Sequence, residues 1–225
     1  MSGQKFAGDK KVKLVSPTAR MERQFIDANI HRVPQWIQSW HLTLLTIPWS
    51  ACLILLGWRA EDNLHWLWGS SLIMVLQWLT DSFDGSVGRA RESGLVKWGF
   101  YMDHLLDFIF MSLAFVGYVF IVSEPTRYWL FVLMLVFGTF MVNAFLSFAA
   151  TNKFKITYLG VGPTETRLLF IILNTAVIFV GPKVIEKGIP YFTMVIFLML
   201  TVVVFQTQKQ IWSIDMQAKH ERPSP

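Results

Sequence analysis

Residues 81–107 read DSFDGSVGRARESGLVKWGFYMDHLLD. The segments that bracket them, about Leu64–Thr80 and Phe100–Ser123, are apolar enough for a bilayer, yet this stretch carries Asp81, Asp84, Arg89, Arg91, Asp103 and Asp107. Asp81 and Asp84 are three residues apart and Asp103 and Asp107 are four apart. On helices, each pair therefore shares a face. Gly85, Gly88, Gly94 and Gly99 lie between the pairs and let the connection turn tightly. The pattern predicts two helix ends that meet and bring four carboxylates together at one edge of a membrane bundle. Acidic residues inside membrane segments are expensive and functional by default.

The rest of the chain supports a membrane setting. It has 225 residues, 53% of them hydrophobic and 16% charged, against about 25% charged in a typical soluble domain. A span needs roughly 20 apolar residues. Six runs approach that length, near residues 40–58, 64–80, 100–123, 128–150, 164–181 and 190–206. The predicted fold is thus all-α and polytopic, with six transmembrane helices. Residues 1–38 form an N-terminal segment, 39–211 the membrane domain, and 212–225 a disordered tail. Within the first segment Met21, Phe25, Ile26 and Ile30 fall on one helical face, which predicts a juxtamembrane amphipathic helix lying in the interface and ended by Pro34. Nothing in the first residues has the apolar core of a cleavable signal.

Of the 20 Lys and Arg residues, 16 flank one face of this layout, and Arg59, Arg127, Lys183 and Lys187 flank the other. The positive-inside rule then places both termini, the aspartate stretch and the 151–167 connection in the cytoplasm. The net charge of +5 fits anionic membrane lipids rather than nucleic acid. Cys52 is the only cysteine, so no intrachain disulfide forms.

Four ionised carboxylates within a few ångströms repel one another. A hard divalent cation, Mg²⁺, Mn²⁺ or Ca²⁺, resolves the repulsion, and two pairs suit two ions, a common arrangement for displacement at phosphorus. Arg89 and Arg91 add planar donors for phosphate oxygens. Simple ion pairs between the aspartates and these arginines are the plainer alternative.

The stretch resembles the signature of the CDP-alcohol phosphotransferases, D-x-x-D-G-x-x-A-R followed after about eight or nine residues by G-x-x-x-D-x-x-x-D. Asp81, Asp84, Gly85, Arg89, Gly99, Asp103 and Asp107 stand in register, and Gly88 replaces the usual alanine. The resemblance implies that Asp81, Asp84, Asp103 and Asp107 bind the metal. It also implies that Asp107 is the general base, that Gly85, Gly88, Arg89 and Gly99 line the CDP pocket, and that the protein is a homodimer. The implied reaction joins an acceptor alcohol to the phosphorus distal to cytidine and releases CMP. A departure lies in IQSWHLTLL, where Ser39 and Trp40 replace the Pro-Asn that often precedes the Leu-Thr of the first span.

The connection TNKFKITYLGVGPTETRLL bears on the alcohol. Lys153, Lys155 and Arg167 suit a phosphorylated acceptor, whereas Glu165 suits a cationic amino alcohol. Thr164-Glu165 and Asp103-His104 are similar to short matches in the choline and ethanolamine phosphotransferases. The expected donor is CDP-diacylglycerol with a polar alcohol or alcohol phosphate. The alternatives are CDP-choline or CDP-ethanolamine acting on diacylglycerol, and a non-catalytic membrane protein with a structural cation site. An intramembrane prenyltransferase would place its aspartate motifs far apart, and an ion carrier would place its acids near mid-bilayer.

Overall fold

The computed structural model describes residues 18–152 and 162–220, and every element among them is helical. In chain order these are α1 (Ala19–Asn29), α2 (Ser39–Leu44), α3 (Thr46–Ala60), α4 (Leu67–Ala90), α5 (Val96–Val119), α6 (Glu124–Thr151), α7 (Pro163–Val180) and α8 (Lys183–His220). Short 3₁₀ turns occupy Ile30–Arg32 and Leu64–Trp66. α2 and α3 form one rod, Ser39–Ala60, interrupted only by a turn at Leu45.

Among the described residues, five helices are long and apolar enough to cross a bilayer: Ser39–Ala60, Val96–Val119, Glu124–Thr151, Pro163–Val180 and Lys183–His220. The sequence predicts six. The difference is α4, which at 24 residues is as long as α5 but is diluted by Gly69, Ser70, Ser71, Gln77 and Thr80. Those polar groups point inward: Ser70, Ser71 and Gln77 are all buried. α4 packs against α1, α2, α3 and α7, so its polar face is covered by protein while hydrophobic residues such as Leu72 and Val75 are exposed.

Successive long helices alternate in direction. On α7, Arg167 reaches Asp81 and Asp107, whereas Asn174 bonds to Ser71 and Tyr118. α4 therefore runs antiparallel to α7, and α5 runs parallel to it. Phe100 and His104 at the start of α5 pack on Phe148 and Phe145 near the end of α6. The Ser123 N–H donates to Glu186 at 2.9 Å and the Asn143 amide to Thr207 at 3.5 Å, which sets α6 and α8 parallel. α3, α5 and α7 thus lead away from the carboxylates, and α4, α6 and α8 return to them.

The tightest helix contact is between α3 and α5. A Cβ built on Gly57 would lie 2.6 Å from Gly117 Cα, so only glycine lets the two backbones approach this closely. Gly138 faces Phe108 across the α5–α6 contact. Gly117 and Gly138 therefore serve packing inside the chain.

Two elements differ from expectation at the termini. The tail predicted to be disordered from residue 212 is instead helical to His220, as part of the 38-residue α8. No glycine or proline interrupts residues 191–220, so nothing stops the helix at Gln206. At the other end, α1 forms where an amphipathic helix is expected, ending at Asn29 rather than at Pro34. Its apolar residues divide: Ile26 is buried with Leu42, Phe83 and Val87, Phe25 stacks on Trp78 at 5.9 Å, and Met21 is 72% exposed.

Candidate active site

The site forms where α4, α5 and α7 come together. Asp81 lies on α4, and Asp103 and Asp107 lie one turn apart on α5. Each of the three offers a carboxylate oxygen, and these oxygens all lie within 4.8 Å of one another. The fourth expected ligand, Asp84, falls outside that group. It is buried, and its Oδ2 accepts a 2.7 Å hydrogen bond from the Thr43 hydroxyl at the start of the first rod. The spacing argument thus brings three carboxylates together, and α2 anchors the fourth.

Two side chains that the aspartate spacing does not indicate complete the cluster. Arg167, only 3% exposed, donates from one Nη to Asp81 Oδ2 at 2.9 Å and to Asp107 Oδ1 at 3.2 Å. It was expected to recognise an acceptor from a loop. It stands instead on the second turn of α7, with its charge spent between two aspartates. Gln77, fully buried and one turn before Asp81 on α4, donates from Nε2 to Asp107 Oδ1 at 3.0 Å. The four-residue offset to Asp81 was the available signal for Gln77, but a lone glutamine in an apolar run carries no motif.

The donor set fits a divalent ion. Three carboxylates supply hard oxygens within reach of one another, and Gln77 orients one of them through its amide. The attached Arg167 lowers the net negative charge without filling the ligand set, since a guanidinium only donates.

The remaining predicted residues sit around this centre. A Cβ on Gly99 would meet no heavy atom within 4 Å, and one on Gly85 would meet only Arg89 Nη1 at 3.4 Å. Packing therefore does not require glycine at either position. A Cβ on Gly88 would meet the Ser39 and Ser93 side chains at 3.4 Å. Arg89 is exposed and donates to Ser86 at 3.0 Å. Arg91 turns the other way and donates to the Val33 and Pro34 carbonyls at 3.2 and 2.9 Å. That ties the α4–α5 connection to the chain ahead of α2.

The residues considered for the alcohol have local uses. Glu165 Oε2 accepts from the Gly162 N–H at 2.9 Å and Oε1 from the Thr18 hydroxyl at 2.6 Å. α7 starts at Pro163 with Gly162 as its N-cap, so Thr164 is not the cap but the second helical residue. Its hydroxyl donates to Glu22 at 2.9 Å. His104 is buried, and its Nδ1 lies 2.6 Å from the Phe100 carbonyl. A carbonyl only accepts, so Nδ1 carries the proton. Lys153 and Lys155 lie outside the described residues.

No curated protein and no solved structure matches this sequence. A family model described as CDP-alcohol phosphatidyltransferase matches residues 33–209, a range that holds Gln77, all four aspartates and Arg167. The chain belongs to the CDP-alcohol phosphatidyltransferase family.

Proposed function

We propose that this member transfers a phosphatidyl group from CDP-diacylglycerol to a polar alcohol or alcohol phosphate, with release of CMP. Membership already makes it a transferase of substituted phosphate groups in phospholipid biosynthesis. The observation that carries the finer reading is the convergence of Asp81, Asp103 and Asp107 with glycines beside them that packing does not demand. Glu165, the residue that favoured a cationic amino alcohol, has both carboxylate oxygens engaged at the start of α7. That weakens the case for CDP-choline or CDP-ethanolamine as donor.

Asp81, Asp103 and Asp107 would hold Mg²⁺ or Mn²⁺, with Asp84 joining them for a second ion. Bound there, the metal offsets charge on the diphosphate and on departing CMP. The open sides of Gly85 and Gly99, with Gly88 and Arg89, receive the CDP moiety. Asp107 takes the proton of the acceptor hydroxyl as its oxygen bonds to the distal phosphorus and the bond to the CMP oxygen breaks. Gln77 and Arg167 hold Asp107 for that role. α4, packed between the Ser39–Ala60 rod and α7, crosses the bilayer as a sixth span. α1 lies at the cytoplasmic surface with Met21 toward lipid, and the protein works as a homodimer.

The test is CMP release by purified protein in lipid–detergent micelles. Mg²⁺-dependent release is expected with CDP-diacylglycerol and one member of a panel of polar alcohols, and Asp107→Asn should lower it at least about a thousandfold. Release only from CDP-choline or CDP-ethanolamine with diacylglycerol would reverse the donor assignment. No release from any pair by folded protein that binds neither CDP nor Mg²⁺ would overturn the reading.

A further inference from the structure

α1 lies wholly outside residues 33–209 that match the family, yet it reaches the elements that build the site. Both oxygens of the Glu22 carboxylate are engaged, and by different helices. Oε1 accepts from Ser82 on α4 at 2.9 Å, and Oε2 accepts from Thr164 on α7 at 2.9 Å. Ser82 follows Asp81 directly, and Thr164 lies three residues before Arg167. Arg167 in turn bonds back to Asp81 at 2.9 Å. The connections close a ring: Glu22 to Ser82, its neighbour Asp81, Arg167, and one turn along α7 to Thr164 and Glu22 again.

The rest of α1 is fixed well enough to make that ring stiff. Ile26 is buried against Phe83 and Val87 of α4, and Phe25 packs on Trp78 and Phe83. On the α7 side, the Thr18 hydroxyl donates to Glu165 at 2.6 Å. An ionised carboxylate accepting two hydroxyl hydrogen bonds makes stronger links than neutral pairs do. Among the described residues no Lys or Arg forms an ion pair with Glu22.

We infer that Glu22 is a positioning residue for the transfer reaction. It clasps α4 to α7 so that Arg167 stays aligned on Asp81 and Asp107. The inference rests on the proposed function for its kinetic consequence, but the clasp itself can be tested without turnover. Misalignment of about 1 Å in a reacting constellation can cost up to about a hundredfold in rate. Glu22→Ala should therefore lower kcat about tenfold and leave the KM for the CDP donor within about twofold. Hydroxyls both donate and accept, so Glu22→Gln can keep both links and should restore most of kcat. Thr164→Val, which cuts the ring at one link, should lower kcat to a similar extent. The double variant Glu22→Ala with Thr164→Val should be no worse than Glu22→Ala alone, because both break the same ring.

The experiment is steady-state CMP release by the four variants in lipid–detergent micelles, together with hydrogen–deuterium exchange over residues 162–168. Exchange should be faster in Glu22→Ala than in wild type and unchanged in Glu22→Gln. Additive losses in the double variant, or a Glu22→Gln as impaired as Glu22→Ala, would overturn the clasp in favour of a role for the Glu22 charge. Unchanged kcat and unchanged exchange in Glu22→Ala would overturn it outright. If wild type releases no CMP, the proposed function fails. The exchange measurement then still decides the clasp, faster exchange supporting it and unchanged exchange removing it.

Discussion

Asp107 receives two hydrogen bonds on one oxygen, from Gln77 at 3.0 Å and from Arg167 at 3.2 Å. A carboxylate held this way has a fixed orientation, and that is the requirement for a metal ligand or a base. Gln77→Leu removes the amide with little change in size at a fully buried position. Loss of an outer hydrogen-bond partner of a metal ligand typically costs 10- to 100-fold in metal affinity or activity. We expect Gln77→Leu to raise the Mg²⁺ concentration for half-maximal CMP release by about tenfold or more. Titrating Mg²⁺ against initial rates checks this, and an unchanged half-maximal concentration would remove Gln77 from the site. The aspartates themselves were legible because carboxylates three and four residues apart can be read as helix faces from spacing alone. Gln77 and Arg167 were not legible as their partners. Their contacts span 30 and 60 residues and depend on how α4, α5 and α7 pack, which no local pattern encodes. Glu165 was legible in type but open in use, since half of a capping interaction and a substrate contact present the same residue near a helix start.

At the level of elements, the apolar runs located every long helix, and their boundaries moved by a few residues except at the end of α4, which continues to Ala90, and at α8. There the signal was present but negative: the absence of a breaker before Pro223. α4 shows the converse. Its composition falls short of that of the five apolar helices because it carries serines and a glutamine that are buried in the protein. The α3–α5 contact depends on a pair that the sequence does not mark, Gly57 and Gly117. In an isolated helix, Gly→Ala stabilises by about 1 kcal/mol. Here an added Cβ on Gly57 meets Gly117 backbone atoms at 2.6 Å, and neither helix can yield without displacing the other. Forcing extra volume into a close-packed contact typically costs 1–3 kcal/mol, roughly enough to outweigh the propensity gain. Gly57→Ala should therefore lower the thermal midpoint in detergent rather than raise it. A raised midpoint would mean that the two backbones are not held in contact.

For the whole molecule, the decisive quantity is the parity of the spans. α7 meets α4 at two levels, Arg167 with Asp81 and Asn174 with Ser71. Arg167 and Asn174 are seven residues apart, about 10 Å along a helix. Over that distance α4 lies beside a helix that is itself apolar enough to span, so α4 shares its depth. Six alternating helices return the chain to the side on which it started, whereas five would leave the termini on opposite sides. Buried polar groups on α4 do not oppose crossing, because the cost of polar groups in hydrocarbon falls on those that face lipid without partners. With Cys52 replaced by serine, single cysteines at Met21→Cys, Asp62→Cys and Asp215→Cys report the sidedness directly. Asp62 lies in the short turn between α3 and α4, and Asp215 lies in the exposed last turns of α8. In sealed vesicles, a membrane-impermeant maleimide should label Met21→Cys and Asp215→Cys from one side and Asp62→Cys from the other. By the positive-inside rule the excess of 16 basic residues over 4 predicts that the side shared by Met21 and Asp215 is cytoplasmic, in which case neither labels from outside intact cells. Opposite sidedness for Met21→Cys and Asp215→Cys would mean that α4 does not cross. The carboxylates of α4 and α5 would then need another route to a common surface.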